Sequence, residues 1–167
     1  RRISASEIKR VLITLGYDEV GEIKTAQQQV GLAFLLALET AMRLGEMLAL
    51  EPRDLHLDQR YLTIRDSKND DRRDVPLTQR AVELLRRLPE DRLFSTSRDQ
   101  ASVLFGRAVR KAGIDDLRFH DSRHEAITRL ARKLDVLDLA RMIGHRDLRS
   151  LRTYYNATAQ EIAQRLD

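Results

Sequence analysis

"YLTIRDSKNDDRRDVPL", residues 61–77, decides the fold, because it interrupts a chain that is otherwise helical in texture. Leu62 and Ile64 alternate with polar neighbours, an Asn- and Asp-rich stretch follows, and Val75 then precedes Pro76. A period of two on either side of a polar turn predicts β-strands. Together with residues 53–60 the segment reads as a small antiparallel hairpin or three-stranded sheet.

Helical patterns flank it on both sides. Ser4 stands three residues before Glu7, a capping box that opens an amphipathic helix running through Leu15. Gly16 and Gly21 then punctuate a loop. Thr25 caps "AQQQVGLAFLLALET", which is apolar on nearly every face after Val30 and is therefore expected in the middle of the domain. "RLGEMLAL" follows as a short helix and stops at Pro52. Beyond the sheet, Thr78 opens "QRAVELLRRL", and Asp99 opens a helix through Ala112 that ends at Gly113. "HDSRHEAITRLARKL" and "DVLDLARMIG" are two more, and Thr158 with Glu161 caps a last helix from Ala159 to Leu166. The expectation is one domain over residues 1–167, mainly α with a small antiparallel β-sheet (α+β).

Length and composition set the class. A chain of 167 residues buries a core without staples, and with no cysteine it has neither a disulfide framework nor a thiolate zinc site. No apolar run reaches the length of a membrane span, and "RRISASEIKR" does not open as a signal peptide, so a cytoplasmic location is expected. The net charge of +4 leans toward a polyanion. Only five of the 30 basic residues are Lys (Lys9, Lys24, Lys68, Lys111, Lys133), and the Arg excess supplies planar forks that suit phosphate, although Arg-biased codon usage produces the same excess.

Four segments carry candidate chemistry. Arg43, in "TAMRLGEMLAL", sits where a buried helix meets the next one; it either pairs locally with Glu46 or is held to meet an anion, and the two are compatible. Lys68 lies in the polar tip "DSKNDDRR", where a lysine is either solvated or a finger that reads a groove or donates a proton. His120, Arg123 and His124 share a face at a helix start, which suits a phosphate. A zinc pair at His120 and His124 is disfavoured, since no Glu follows the first His and no third ligand is near in sequence. His145 follows Gly144, and Tyr154 and Tyr155 come nine and ten residues after it; a Tyr pair is either packing or a nucleophile with its neighbour.

Taken together and in this order, the segments resemble the catalytic domain of the tyrosine recombinases, the phage integrase family, over nearly the whole chain. "TAMRLGEMLAL" is similar to the family's first arginine box, "SKNDDRRDVPL" to its sheet lysine and basic strand, "HDSRHEAIT" to its His-x-x-Arg-His box, and "MIGHRDLRSLRTYY" to its Gly-His box with the nucleophile nine residues on. The resemblance implies a site-specific recombinase whose tyrosine, here Tyr154, attacks a phosphate of double-stranded DNA to give a 3′-phosphotyrosine and a free 5′-hydroxyl. Neither ATP, metal nor another cofactor is implied. Arg43 and Arg123 would clamp the non-bridging oxygens, His145 would add a donor, His120 would stand on the base side and Lys68 would protonate the leaving oxygen. A free tyrosine has a pKa of about 10, so the nucleophile needs such help.

The resemblance also implies an N-terminal DNA-binding domain that lies outside this chain, and a last helix that docks on a neighbouring protomer in a tetramer or else folds back on its own domain. Ser122 departs from the apolar residue common in the family's box and is expected to affect packing. Two other readings share these residues: a type IB topoisomerase-like relaxing enzyme, and a DNA-binding relative without catalysis.

Overall fold

The computed structural model describes residues 1–65 and 72–166. Eight helices and three strands are assigned among them, in the order α1 (Ala5–Thr14), α2 (Ala26–Thr40), α3 (Leu44–Leu48), β1 (Leu55–His56), β2 (Tyr61–Ile64), β3 (Arg73–Pro76), α4 (Gln79–Arg86), α5 (Arg98–Lys111), α6 (Asp121–Leu130), α7 (Val136–Ile143) and α8 (Ala159–Ala163). The mainly helical α+β expectation holds, and the open choice at residues 53–77 resolves to three antiparallel strands in the order β1-β2-β3. Leu62 pairs with Val75 on the buried face, and Thr63 pairs with Asp74, where the threonine hydroxyl donates to the carboxylate across 2.7 Å. Among the described residues no helix is long and apolar enough to cross a membrane.

α2 is the hub, as its sequence demands. Ten of its residues, from Gln29 to Thr40, are buried, and the helix packs against α4, α5 and α6. Gly31 is required here because a Cβ would stand 2.8 Å from the Cβ of Tyr17. Further along, Phe34 meets Phe105 of α5 at 5.0 Å between ring centroids and Phe119 at 6.1 Å, while Phe105 and Phe119 meet edge-on at 5.2 Å. Truncating a buried Phe of this kind costs about 3–5 kcal/mol. The triad therefore fixes the floor on which α3 and the start of α6 rest.

Several boundaries differ from expectation for local reasons. Ser97, not Asp99, caps α5, because its extended backbone lets its hydroxyl accept from the Gln100 amide at 3.2 Å. α6 stops at Leu130 rather than Leu134: Asp135 takes an extended conformation and caps α7 through the amides of Leu137 and Asp138, so the chain must turn before it. The last helix keeps its capping box but ends at Ala163, short of Leu166, and buries no residue. A five-residue helix lacks the length to hold itself without packing.

Candidate active site

Arg43 owes its position to the way α2 ends. Ala41 turns into the left-handed region at φ 57°, the chain leaves the helix axis, and Arg43 becomes the residue that caps α3. Glu46, one turn on, accepts from the Arg43 amide and from its guanidinium, both at 3.0 Å. The local pairing and the outward presentation coexist, since the Arg43 side chain remains 49% exposed. Glu46 also accepts from Arg73 of β3 at 2.8 Å, and Arg73 donates to the carbonyl of Met142 at 3.2 Å. Burial pushes the Glu46 carboxyl up, but the Arg73 hydrogen bond, the Arg43 amide and the two guanidinium charges outweigh it and leave the pKa lowered.

Arg123 is held differently. It is buried, and its guanidinium donates to the carbonyls of Ala41 and Ile143, the latter at 2.9 Å. One side chain thus ties the end of α2 to the end of α7. Burial, and after it the like charge of Arg43, bring its pKa down to about 10, which still leaves it cationic at neutral pH. Ser122 beside it is buried and donates to the Phe119 carbonyl at 2.6 Å.

These groups line one cleft of about 730 Å³, with Arg43, Arg73, Arg98, Arg118 and Arg123 on its walls, His120 at its edge and Glu46 as its acidic residue. Such an excess of fixed cation in a concave site attracts an anion and stabilises negative charge that develops inside it. The His120 pKa is lowered by burial first and then by His124 and Arg123. His145 follows Gly144, whose φ of 71° ends α7 and turns the chain toward the cleft. Its pKa is lowered by burial, then by Arg123 and Arg43. The His145 Nδ1 lies 2.8 Å from the Ser150 hydroxyl, which donates to the Asp147 carbonyl at 2.8 Å. In the tautomer that satisfies both contacts, Nδ1 carries the proton, and Nε2 becomes a donor only when the ring is charged.

The tyrosine pair separates. Tyr154 closes a 3-10 stretch, Leu148–Tyr154, and its Oη lies 3.2 Å from the Nδ1 of His124. It lies near enough to Arg123 to interact with the guanidinium. Tyr155 turns away and donates its hydroxyl to the Leu134 carbonyl at 2.8 Å, with a pKa raised by burial and then by Asp135. Arg43, His120, Arg123, His145 and Tyr154 are thus drawn into one neighbourhood, whereas Lys68 lies outside the described residues. Two partnerships, His124 with Tyr154 and Arg73 with Glu46 and Met142, have no counterpart in the sequence reading. His124 was visible as a neighbour of His120 on one helix face, but Arg73 had no local signal, because its carbonyl partner is 69 residues away. Among the described residues no cluster of His, Asp and Glu is arranged to hold a metal ion.

Comparison with known proteins agrees with this architecture. A Haemophilus influenzae protein named as an integrase/recombinase is 38% identical over 93% of this chain and 44% of its own length. A shufflon-specific DNA recombinase of Escherichia coli is 37% identical over 80% of this chain and 36% of its own length. The chain therefore spans less than half the length of either. Among solved structures, the catalytic domain of bacteriophage HP1 integrase superposes with a TM-score of 0.73 at 20% identity, covering 99% of this chain and 92% of that one, which shows a shared fold. The family model that describes phage integrases matches residues 1–161, so that the cleft, the arginine that ties α2 to α7 and the paired tyrosines all fall within the match, and the chain belongs to the phage integrase family.

Proposed function

We propose that the chain is the catalytic domain of a site-specific DNA recombinase that breaks and rejoins backbone phosphates through Tyr154. The observation that carries this reading is the cation-rich cleft in which Arg43 projects and Arg123 is locked, with Tyr154 near enough to Arg123 to interact with it. In-line displacement at phosphorus spreads negative charge over the non-bridging oxygens, and two guanidiniums supply the neutralisation that a metal ion provides elsewhere. As the bond from Tyr154 Oη to phosphorus forms, the bond from phosphorus to the 5′-oxygen breaks; the phenolic proton leaves toward the base side, where His120 stands edge-on to His124, and Lys68 protonates the departing oxygen. A bound phosphate favours the charged form of His145, which then donates from Nε2. The ester energy stays in the phosphotyrosine, so rejoining needs no ATP.

Double-stranded DNA is the proposed partner, and the cytoplasm, where prokaryotic DNA resides, the proposed compartment. The longer relatives fit a protein in which a further DNA-binding domain accompanies this one. Ile162 and Leu166, 48% and 80% exposed, form the apolar side of the C-terminal segment, which we place on a neighbouring protomer in a tetramer on DNA. Deleting residues 158–167 should then abolish synapsis while leaving cleavage of a single site; unchanged recombination and synapsis would reject that docking.

The reaction is tested by incubating the full-length protein with nicked genomic DNA of its source, denaturing, and sequencing the fragments that stay covalently attached. Recurrent adducts at one site support the recombinase. Bound but never attached DNA would make the protein a binding module. Relaxation of supercoils without exchange products would make it a topoisomerase-like enzyme.

A further inference from the structure

We infer that His124 is the general base that takes the phenolic proton of Tyr154, an inference that rests on the reading of Tyr154 as the nucleophile. The contact is direct, with Oη and Nδ1 3.2 Å apart. Imidazole is the side chain best matched to moving a proton near neutral pH. The setting is one of fixed parts. Ser122 is tied to the Phe119 carbonyl and Arg123 to those of Ala41 and Ile143. The Glu125 carboxylate accepts from Arg2, from the Ile3 amide and from Arg129. His124 is the exposed residue within this anchored run, and the ring of His120, 5.1 Å away and nearly perpendicular, flanks it. The residue that meets the attacking oxygen therefore adjoins, on one rigid helix, the arginine proposed to hold the phosphate. Preorganisation of this kind is what a proton acceptor needs to act within the lifetime of an in-line complex.

The step balances. Neutral His124, with its proton on Nε2, accepts the phenolic proton at Nδ1 as the bond from Oη to phosphorus forms, and the electron pair of the breaking ester bond leaves on the 5′-oxygen, which is protonated from the acid side. In rejoining, the 5′-hydroxyl attacks and the imidazolium returns its proton to the departing phenolate. His120 stands behind this base and does not itself meet the phenol.

The test measures single-turnover adduct formation by the full-length protein on a nicked duplex that carries the captured target site, with site binding measured separately. His124→Ala and His124→Asn should each slow the adduct by about 10²-fold or more while binding is unchanged. Added imidazole should accelerate His124→Ala. A bridging 5′-phosphorothiolate, whose sulfur departs without a proton, should not restore either variant, because the defect is on the attacking side. A wild-type rate for His124→Ala beside a silent Tyr154→Phe would overturn the base and leave the nucleophile standing. Full activity of His124→Asn, which keeps an acceptor near the Nδ1 position but cannot carry the proton, would also overturn it. An adduct formed by Tyr154→Phe would instead remove the reading on which the inference rests.

Discussion

Arg73 donates to Glu46 across 2.8 Å and so joins the edge strand of the sheet to the turn that carries Arg43. Both side chains are largely shielded from water, and the same guanidinium reaches the Met142 carbonyl. Arg73→Met should leave Glu46 with Arg43 as its remaining cationic partner and free the end of α7. Breaking a well-buried pair costs about 3–5 kcal/mol, and partial exposure reduces that here to about 2 kcal/mol. Urea unfolding measures this loss. Adduct formation should fall by more than the stability change explains, because the carboxylate that holds Arg43 loses its anchor on β3 and the turn before His145 loses its hydrogen bond to Arg73.

The contrast between Arg73 and its strand shows what the sequence carries and what it does not. Strand β3 was legible because alternation is local, and the basic residues around it resembled a family box. That Arg73 would be a strut between α3 and α7 was not, because hydrogen bonds over long separations leave no periodic trace. Helix order was legible for the same local reason, yet α6 ended early because Asp135, a better cap than a helix interior residue, starts the next helix. The identity of the candidate site residues came from spacing. Their mutual arrangement, above all His124 against Tyr154, required the fold to bring α6 and the 3-10 stretch together.

Stability should depend on acid through Glu7 and Glu125. The Glu7 carboxyl is drawn down to about 2 by Arg1 and the Ser4 amide, and that of Glu125 to about 2 by Arg2, with burial opposing in each case. Both folded values lie below the unfolded one, so the stabilisation is complete above the ordinary carboxylate range and is lost as pH falls toward 2. Thermal melts should therefore fall steadily below about pH 5, after a smaller decline that begins as pH drops through the ordinary imidazole range, where the lowered pKa values of His120 and His145 disfavour the folded state. Glu125→Gln should lower stability at neutral pH and flatten the acid limb. An acid limb as steep as that of the wild type would show that Glu125 is not among the groups responsible.

Gly144 has no substitute of ordinary geometry. Its φ is 71°, and a Cβ would lie 3.0 Å from the Arg73 guanidinium carbon, which Glu46 and Met142 hold in place. Gly144→Ala should cost about 1–2 kcal/mol for the left-handed backbone alone. The clash adds to that and acts where the chain turns toward His145. Adduct formation should drop about tenfold or more, since removing one charge-stabilising donor costs about 10²–10³ and a displaced one costs part of that. Hydrogen exchange should localise the change to residues 140–150; a uniform loss of protection would indicate global destabilisation instead.

Tyr154 and Tyr155 should separate cleanly in a pair of hydroxyl deletions. Tyr155 gives its proton to the Leu134 carbonyl at 2.8 Å, where α6 has ended and α7 has not begun. Tyr155→Phe removes that bond and should cost about 1 kcal/mol, visible as a modest loss in urea midpoint, while the covalent DNA adduct persists. Tyr154 has its oxygen turned toward His124 and lies near Arg123. Tyr154→Phe should leave stability nearly unchanged and abolish the adduct. Peptide mapping of the nuclease-trimmed adduct then identifies the attached residue. An adduct on Tyr155 would require its hydroxyl to leave the Leu134 carbonyl and the 3-10 stretch to unwind, so that outcome would overturn both the assignment of the nucleophile and the role given to the turn after α6.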